Sequence, residues 1–486
     1  MSKILYISSE AFPLIKTGGL GDVAGSLPAA LLQNNQDIKL FLPAYPKVIA
    51  GIKNPKVIAT TSYYNFSASI LESRLPGTNV KVWLLDCPAI FDRPGGPYTD
   101  HHGESWHDNA LRFSVFCYAA VEISMDKLGL SWKPDVVHCN DWQSGLVPAL
   151  LNSYENRPAT VFTIHNLAYQ GVFEKQTFYD LELPPELWNM EALEFYDQLS
   201  FIKGGLAFAD KINAVSPTYA SEILQPAFGY GLDGLLKKRH ADLSGILNGI
   251  DEKIWNPGTD QYLPHKYNRR SLNKKILNKT ALQKELSLPI DNTIPIIGMV
   301  SRLVEQKGLE IIIQSLNSLL SMPLQLVILG SGETHYEIEL TKWAQQYPEK
   351  LKVVIGYDEA LAHKIEASSD IYLMPSTFEP CGLNQLYSLR YGTLPVVTAV
   401  GGLADTVHDA DEENIKNNIA NGFILKQQTS SSLINTISYA IALYKKNTVW
   451  KQLQVNAMSR DYSWQTSAKH YIDLYQQALK KRSRPD

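Results

Sequence analysis

The amino-acid sequence predicts an α/β protein made of two Rossmann-like domains that face each other across a cleft. Three observations point there. Short apolar runs alternate with helical patterns from the first residues onward, the rhythm of a parallel sheet covered by helices. The rhythm breaks at a polar, proline-punctuated stretch after Asn248 and then restarts. At roughly 150 residues per domain, the 486 residues fill two or three cores.

In the first half the candidate strands are 3–7, 38–42, 80–85, 135–139, 160–163, 211–214 and 243–247. Most lack alternation, as strands buried on both faces do. Residues 109–128 and 144–154 read as helices between them. The second half opens with a helix near 274–286. Strands follow at 295–300, 324–329, 351–355, 371–375 and 393–398. The expected division is a domain over 1–250, a domain over 251–458 and a terminal helix over 459–486. That helix ends in the basic run 480–484, whose plain reading is a solvated, fraying end.

Composition excludes several classes of function. With 45% hydrophobic residues the chain can build packed cores. A net charge of −4 offers no basic surface for nucleic-acid phosphates. The four cysteines, Cys87, Cys117, Cys139 and Cys381, show no paired spacing. A disulfide framework or zinc site is therefore not expected, and a reducing compartment fits. No apolar run reaches membrane length, and the N-terminus lacks a signal or transit pattern, so a cytoplasmic protein without a membrane partner is expected.

Four segments can carry chemistry, each at a strand end. Lys16-Thr17-Gly18-Gly19-Leu20-Gly21-Asp22-Val23 follows the first strand and precedes a helix. Its glycines let a ligand approach the backbone, and amides at a helix start favour an anion. The order is neither GxGxxG nor GxxxxGK[ST], so dinucleotide and P-loop readings fail. Ser301–Gly308 contains Arg302 and Lys307, which suit a diphosphate as fork and point charge. The segment from Pro375 to Leu383 holds Glu379, able to bind sugar hydroxyls, then Cys381, Gly382 and Leu383 at a helix start. Gly401 and Gly402 form a further strand-end turn. In the first half, Asp141 and His165 each follow a strand. Asp409-Ala410-Asp411 matches a metal-binding DxD, but its acidic neighbours favour a solvated loop. Gly330-Ser331-Gly332 is an incomplete dinucleotide turn.

Taken in order, these segments resemble the bacterial glycogen synthase and plant starch synthase family. The resemblance rests on 16–23, 108–113, 138–142, 165–171, 247–251, 301–308, Gly356-Tyr357, 378–383, 391–395 and 401–407, and covers nearly the whole chain. It implies the GT-B fold, with the terminal helix crossing back to the first domain. It also implies transfer of glucose from ADP-glucose to the non-reducing end of an α-1,4-glucan, with retention and without a metal or cofactor. In that likeness Arg302 and Lys307 neutralise the diphosphate, and Lys16, Gly18, Gly19 and Asp22 line the phosphate and glucose side. Asp141 and His165 contact the glucose, Glu379 positions it, Tyr357 stacks on adenine and Asn248 sits at the hinge. Cys381, Gly382, Leu383, Gly401 and Gly402 complete the donor contacts. Many related transferases carry a second glutamate eight positions after the first; here Tyr387 stands there. An α-glucan phosphorylase, an NAD-dependent oxidoreductase and a non-catalytic glycan-binding protein are the competing readings.

Overall fold

The computed structural model describes residues 1–483, which fall into two compact units. One comprises Met1–Gly249 with the last helix, Trp464–Arg482; the other is Ile250–Ser463.

The sheet of the first unit has nine strands among the described residues: β1 (Lys3–Ile7), β2 (Asp37–Pro43), β3 (Lys56–Tyr63), β4 (Phe66–Arg74), β5 (Lys81–Asp86), β6 (Val136–Asn140), β7 (Ala159–Ile164), β8 (Lys211–Ala214) and β9 (Leu243–Gly245). Their order is β9-β8-β7-β6-β1-β2-β5-β4-β3. All pairs are parallel except β5–β4 and β4–β3. β6 and β7 are buried throughout, which explains their unbroken apolar runs. The β3–β4 hairpin did not show in the sequence. It turns at Tyr64 and Asn65, both with positive φ (48° and 67°), without the glycine that usually marks such a turn. The two strands are also half exposed, so neither presents a solid apolar run.

The terminal helix is docked, not frayed. Tyr475 OH lies 2.8 Å from His138 Nδ1, and Ser467 Oγ donates to Leu247 O. Lys481 pairs with Asp242 at 2.6 Å, and Arg482 donates to Glu155 O. The basic run thus anchors the helix end through ion pairing, contrary to the solvated reading; Arg484 lies outside the described residues. The second unit ends at Ser463, beyond the expected 458. Ile250 N–H donates to Tyr462 O and Tyr462 OH to Thr406 O, which tie that segment to the second unit.

The sheet of the second unit is wholly parallel, with six strands among the described residues: β10 (Ile296–Val300), β11 (Gln325–Gly330), β12 (Leu351–Ile355), β13 (Ile371–Met374), β14 (Leu394–Thr398) and β15 (Phe423–Leu425). The order is β12-β11-β10-β13-β14-β15. Numbered within the unit this reads 3-2-1-4-5-6, the doubly wound order. The parallel strands of the first unit read the same way once the β3–β4 hairpin is set aside. Each sheet therefore reverses direction at one place, between β1 and β6 and between β10 and β13. Ligands of such sheets bind beyond the carboxyl ends of the strands at that reversal.

Candidate active site

Lys16–Asp22, Asp141, Arg302, Lys307 and Glu379 follow the strands that flank these two reversals, whereas His165 follows β7, Gly401 and Gly402 follow β14, and Asn248 and Tyr357 follow the edge strands β9 and β12. In the first unit, β1 leads into Ser8, Ser9 and Glu10, and then into the loop preceding helix α1 (Gly19–Gln33). Glu10 is buried, and its carboxylate accepts four hydrogen bonds. Thr17 N and Thr17 Oγ1 donate at 2.5 Å each, Gly18 N at 3.3 Å and Tyr98 OH at 2.6 Å. Lys16 Nζ pairs with Asp22 at 2.8 Å and its side chain is 41% exposed. The motif glycines divide by cause. A Cβ on Gly25 would lie 2.4 Å from Phe12 O and one on Gly21 3.1 Å from Lys16 Cβ, so packing requires glycine or close to it. A Cβ on Gly18 or Gly19 would meet nothing within 4 Å. Packing does not ask for glycine there, which leaves open backbone for a ligand to approach.

Asp141 follows β6 with φ 53° and ψ −177°, a region that side chains rarely occupy and that costs about 1–3 kcal/mol. Such strain is kept where the surroundings impose it. Asp141 N donates to Thr163 O, and Asp141 Oδ1 accepts from His165 N at 2.7 Å. Burial pushes the Asp141 carboxyl up to about 7, against the opposing pull of the His165 and Asn166 amides, while Glu10 adds to the rise. His165 is buried and its pKa falls to about 3, so the ring is neutral near pH 7. Asn140 Nδ2 donates to Ile7 O, so its Oδ1 faces His165 Nε2 at 2.9 Å. That arrangement places the ring proton on Nε2 and leaves Nδ1 an acceptor. Asn248 Oδ1 is buried without a hydrogen-bond partner among the described residues.

In the second unit, β10 leads into Ser301–Gly308. The Arg302 side chain is exposed and makes no hydrogen bond or ion pair among the described residues. Its loop is nonetheless fixed. A Cβ on Gly330 would lie 1.9 Å from Ser301 O and one on Gly332 2.2 Å from Leu303 O. The incomplete dinucleotide turn is therefore the floor beneath Arg302. Lys307 Nζ meets Glu379 Oε2 at 2.5 Å, and Ser376 Oγ donates to the same oxygen at 3.0 Å. These two residues follow β10 and β13, the strands flanking the reversal.

Gly401 and Gly402 are buried against the Glu379–Cys381 backbone; their Cβ atoms would meet Glu379 O at 1.9 Å and Cys381 O at 2.1 Å. They set the path of the Glu379 segment. The Cys381 side chain is buried, Gly382 has φ 71°, and Leu383 caps the short helix Asn384–Arg390. Tyr357 is 80% exposed, with its hydroxyl donating to Glu359. Tyr387 is buried and stacks on Trp255 at 3.7 Å, and Trp255 stacks on His363 at 3.8 Å.

One expectation holds only in part. Asp411 is exposed, as a solvated stretch requires, but Asp409 is half-buried and both carboxylates are engaged. Asp409 Oδ1 accepts from Ile424 N at 2.9 Å, and Asp411 caps Glu412–Lys416 through Asn414 N at 2.7 Å. Acidic neighbours hid this, because cap and turn carboxylates look like any other charged run. Glu10 and Tyr98 escaped the sequence reading for a related reason: they lie far apart in the chain and outside any motif.

Comparison with known proteins shows the family. Residues 3–238 match the family model described as the starch synthase catalytic domain, and 283–454 that of glycosyl transferases group 1. The chain is 54% identical to glycogen synthase 1 of Methylococcus capsulatus, over 98% of this chain and 97% of that protein. It is also 54% identical to the glycogen synthase of Cellvibrio japonicus, over 98% and 99%. Among solved structures, the catalytic domain of starch synthase IV from Arabidopsis thaliana, bound to ADP and acarbose, superposes with a TM-score of 0.89. It is 32% identical, over 99% of both chains.

Proposed function

The chain belongs to the starch and glycogen synthase family, and from that premise we infer how its residues carry out glucosyl transfer. It is a retaining GT-B glucosyltransferase that moves glucose from ADP-glucose to the non-reducing end of an α-1,4-glucan. What supports the residue assignments is that Lys16, Asp141, Arg302, Lys307 and Glu379 each follow a strand flanking the reversal of their own sheet.

Breaking the glucosyl–phosphate bond builds positive charge on the anomeric carbon and negative charge on the departing diphosphate. Arg302 and Lys307 stabilise the diphosphate. Arg302 is exposed and unpaired among the described residues, ready to fork onto phosphate oxygens, and Lys307 is held on a fixed line by Glu379. Glu379 also accepts from sugar hydroxyls and so positions the glucose, while the Cys381, Gly382 and Leu383 backbone, kept in place by Gly401 and Gly402, completes the donor contacts. Tyr357, 80% exposed, stacks on adenine.

In the first unit, Lys16, Asp22 and the open backbone of Gly18 and Gly19 receive the phosphate and glucose side of the donor. His165, neutral with a free Nδ1, accepts from a sugar hydroxyl without adding charge, and Asp141 contacts the same sugar. Asn248 uses its unpartnered oxygen on the donor. Tyr387, stacked on Trp255, stands where many related transferases carry a second glutamate, so no carboxylate at that position grips the ribose. No carboxylate is set up as a far-face nucleophile, and retention follows from front-face attack within an ion pair. The transfer needs no metal or other cofactor, and the four free cysteines support a reducing, cytoplasmic setting.

The deciding experiment is ADP release from ADP-glucose with and without glycogen. Glycogen-dependent release is expected; glycogen-independent hydrolysis, or release from UDP-glucose alone, would overturn the donor and acceptor assignment. Capture of a covalent glucosyl-enzyme would overturn the front-face route.

A further inference from the structure

The glycine-rich loop of the first unit has a keeper that the roles above do not use. Glu10 sits between the end of β1 and that loop, 3% exposed. Its Oε2 receives Thr17 N and Gly18 N, and its Oε1 receives Thr17 Oγ1 and Tyr98 OH. The support continues behind it. Ser9 Oγ lies 2.7 Å from Tyr98 OH, Asn109 Nδ2 donates to Tyr98 O at 2.9 Å, and Arg112 Nη1 donates to Asn109 Oδ1 at 2.8 Å and to Pro97 O at 2.9 Å. Arg112 is fully buried and its Nε holds Ile90 O. The 108–113 segment thus reaches the loop through Tyr98 and Glu10.

We propose that Glu10 is a positioning residue for the donor, fixing the Lys16–Gly19 backbone by binding the Thr17 and Gly18 amides. Two features make this more than structural filler. The glycines it holds carry no packing need of their own, since a Cβ on Gly18 or Gly19 would meet open space. A loop with no packing to hold it depends on its hydrogen bonds for shape, and bonds to a charged acceptor are the strong ones. Glu10 also settles which amides remain for a ligand. Thr17 and Gly18 are taken, so Gly19 and Leu20, the first residues of α1, are the ones presented. A carboxylate behind the Thr17–Gly18 end disfavours phosphate there and favours neutral hydroxyls. The donor is thereby oriented with its phosphates toward the start of α1.

The inference rests on the ADP-glucose reading for its consequence but not for its geometry, and the test separates the two. In the ligand-free full chain, hydrogen exchange at the Thr17 and Gly18 amides is measured for wild type, Glu10→Ala, Glu10→Gln and Thr17→Val. Steady-state KM for ADP-glucose and for glycogen is measured for the same proteins. Glu10→Ala is expected to speed exchange at those two amides at least tenfold with β6 amides unchanged. Its KM for ADP-glucose should rise at least tenfold, with the glycogen KM within about twofold. Glu10→Gln keeps the shape, and the Thr17 and Tyr98 hydroxyls can turn to accept from its amide, so it should recover part of both effects. Thr17→Val, which removes one arm only, should show the same pattern more weakly, and it stands in if Glu10→Ala does not fold. Unchanged exchange at Thr17 and Gly18 in both Glu10→Ala and Thr17→Val overturns the clamp. Loosened amides with an unchanged donor KM overturn its positioning role. Failure of the wild type to release ADP sinks the donor reading instead, while the exchange arm still decides the clamp.

Discussion

The two sheet reversals share a topology but are prepared in opposite ways. At the first, the buried acid and base groups are already engaged. Glu10 is saturated with donors, His165 is neutral and bonded to Asn140, and Asp141 is strained, buried and reluctant to ionise. At the second, charge is on offer: Arg302 is exposed, and Lys307 is shared with a single carboxylate. The chemistry explains the contrast. A glucose ring is oriented by hydrogen-bond partners whose own positions are fixed beforehand. A departing diphosphate needs cations that meet charge as it develops.

The sharpest way to break this comparison is to remove the cations. Arg302→Ala and Lys307→Ala should each lower kcat by roughly 10²–10³, measured as ADP release. They should differ in stability. Lys307→Ala leaves Glu379 buried without its partner and should lower Tm, whereas Arg302→Ala removes an unpaired exposed group and should leave Tm unchanged. Equal thermal behaviour would mean that the Lys307–Glu379 pair is not fixed in the free protein.

Next come the glycines, which separate fold from function between the motif and the helix that continues it. Gly25→Ala drives a methyl group toward Phe12 O and should destabilise the chain by several °C in thermal melts. Gly19→Ala faces open space and should fold normally, yet raise KM for ADP-glucose about tenfold or more. A soluble, fully active Gly19→Ala would remove the ligand from that backbone.

Asp141 gives a pH test of the first site. In the folded chain its proton is held up to about 7, against an ordinary value of 3.8. Between those values the folded state binds more protons than the unfolded one. Its stability therefore falls as pH rises through that window and stays at the lower level above it. Asp141→Asn removes the loss while keeping an acceptor for the His165 amide. Its Tm advantage over wild type should be absent near pH 4 and full above about pH 7, accompanied by lower activity. A pH-independent difference would show that Asp141 is ionised and solvated.

The smallest effect concerns the acidic pair. Asp411→Ala should cost about 1 kcal/mol as a lost helix cap and leave turnover within about twofold, with EDTA changing nothing. A large loss of turnover, restored by a divalent cation, would give Asp409 and Asp411 the metal role denied to them here.

Much of this was legible in the chain. Parallel strands buried on both faces are solid apolar runs, so β6, β7 and β10–β14 stand out, and residues at their ends are the natural functional candidates. The half-exposed β3–β4 hairpin and the three-residue edge strand β15 lacked that signal. The hydrogen-bonded roles of Asp409 and Asp411 were not legible because a carboxylate that caps a turn and one that merely dissolves in water have the same local sequence. Tyr387 was visible as a departure from a pattern, but its stack on Trp255 was not, since the partner lies elsewhere in the chain.

By itself the sequence determined the periodicity of the two sheets and the chemical types waiting at their strand ends, because both are written in neighbouring residues. Only the tertiary structure decided which glycines serve packing and which face open space, where the proton of Asp141 is held, and that Glu10 grips the glycine loop. Those outcomes depend on exclusion of water and on hydrogen bonds between distant segments, and no local stretch of chain encodes either.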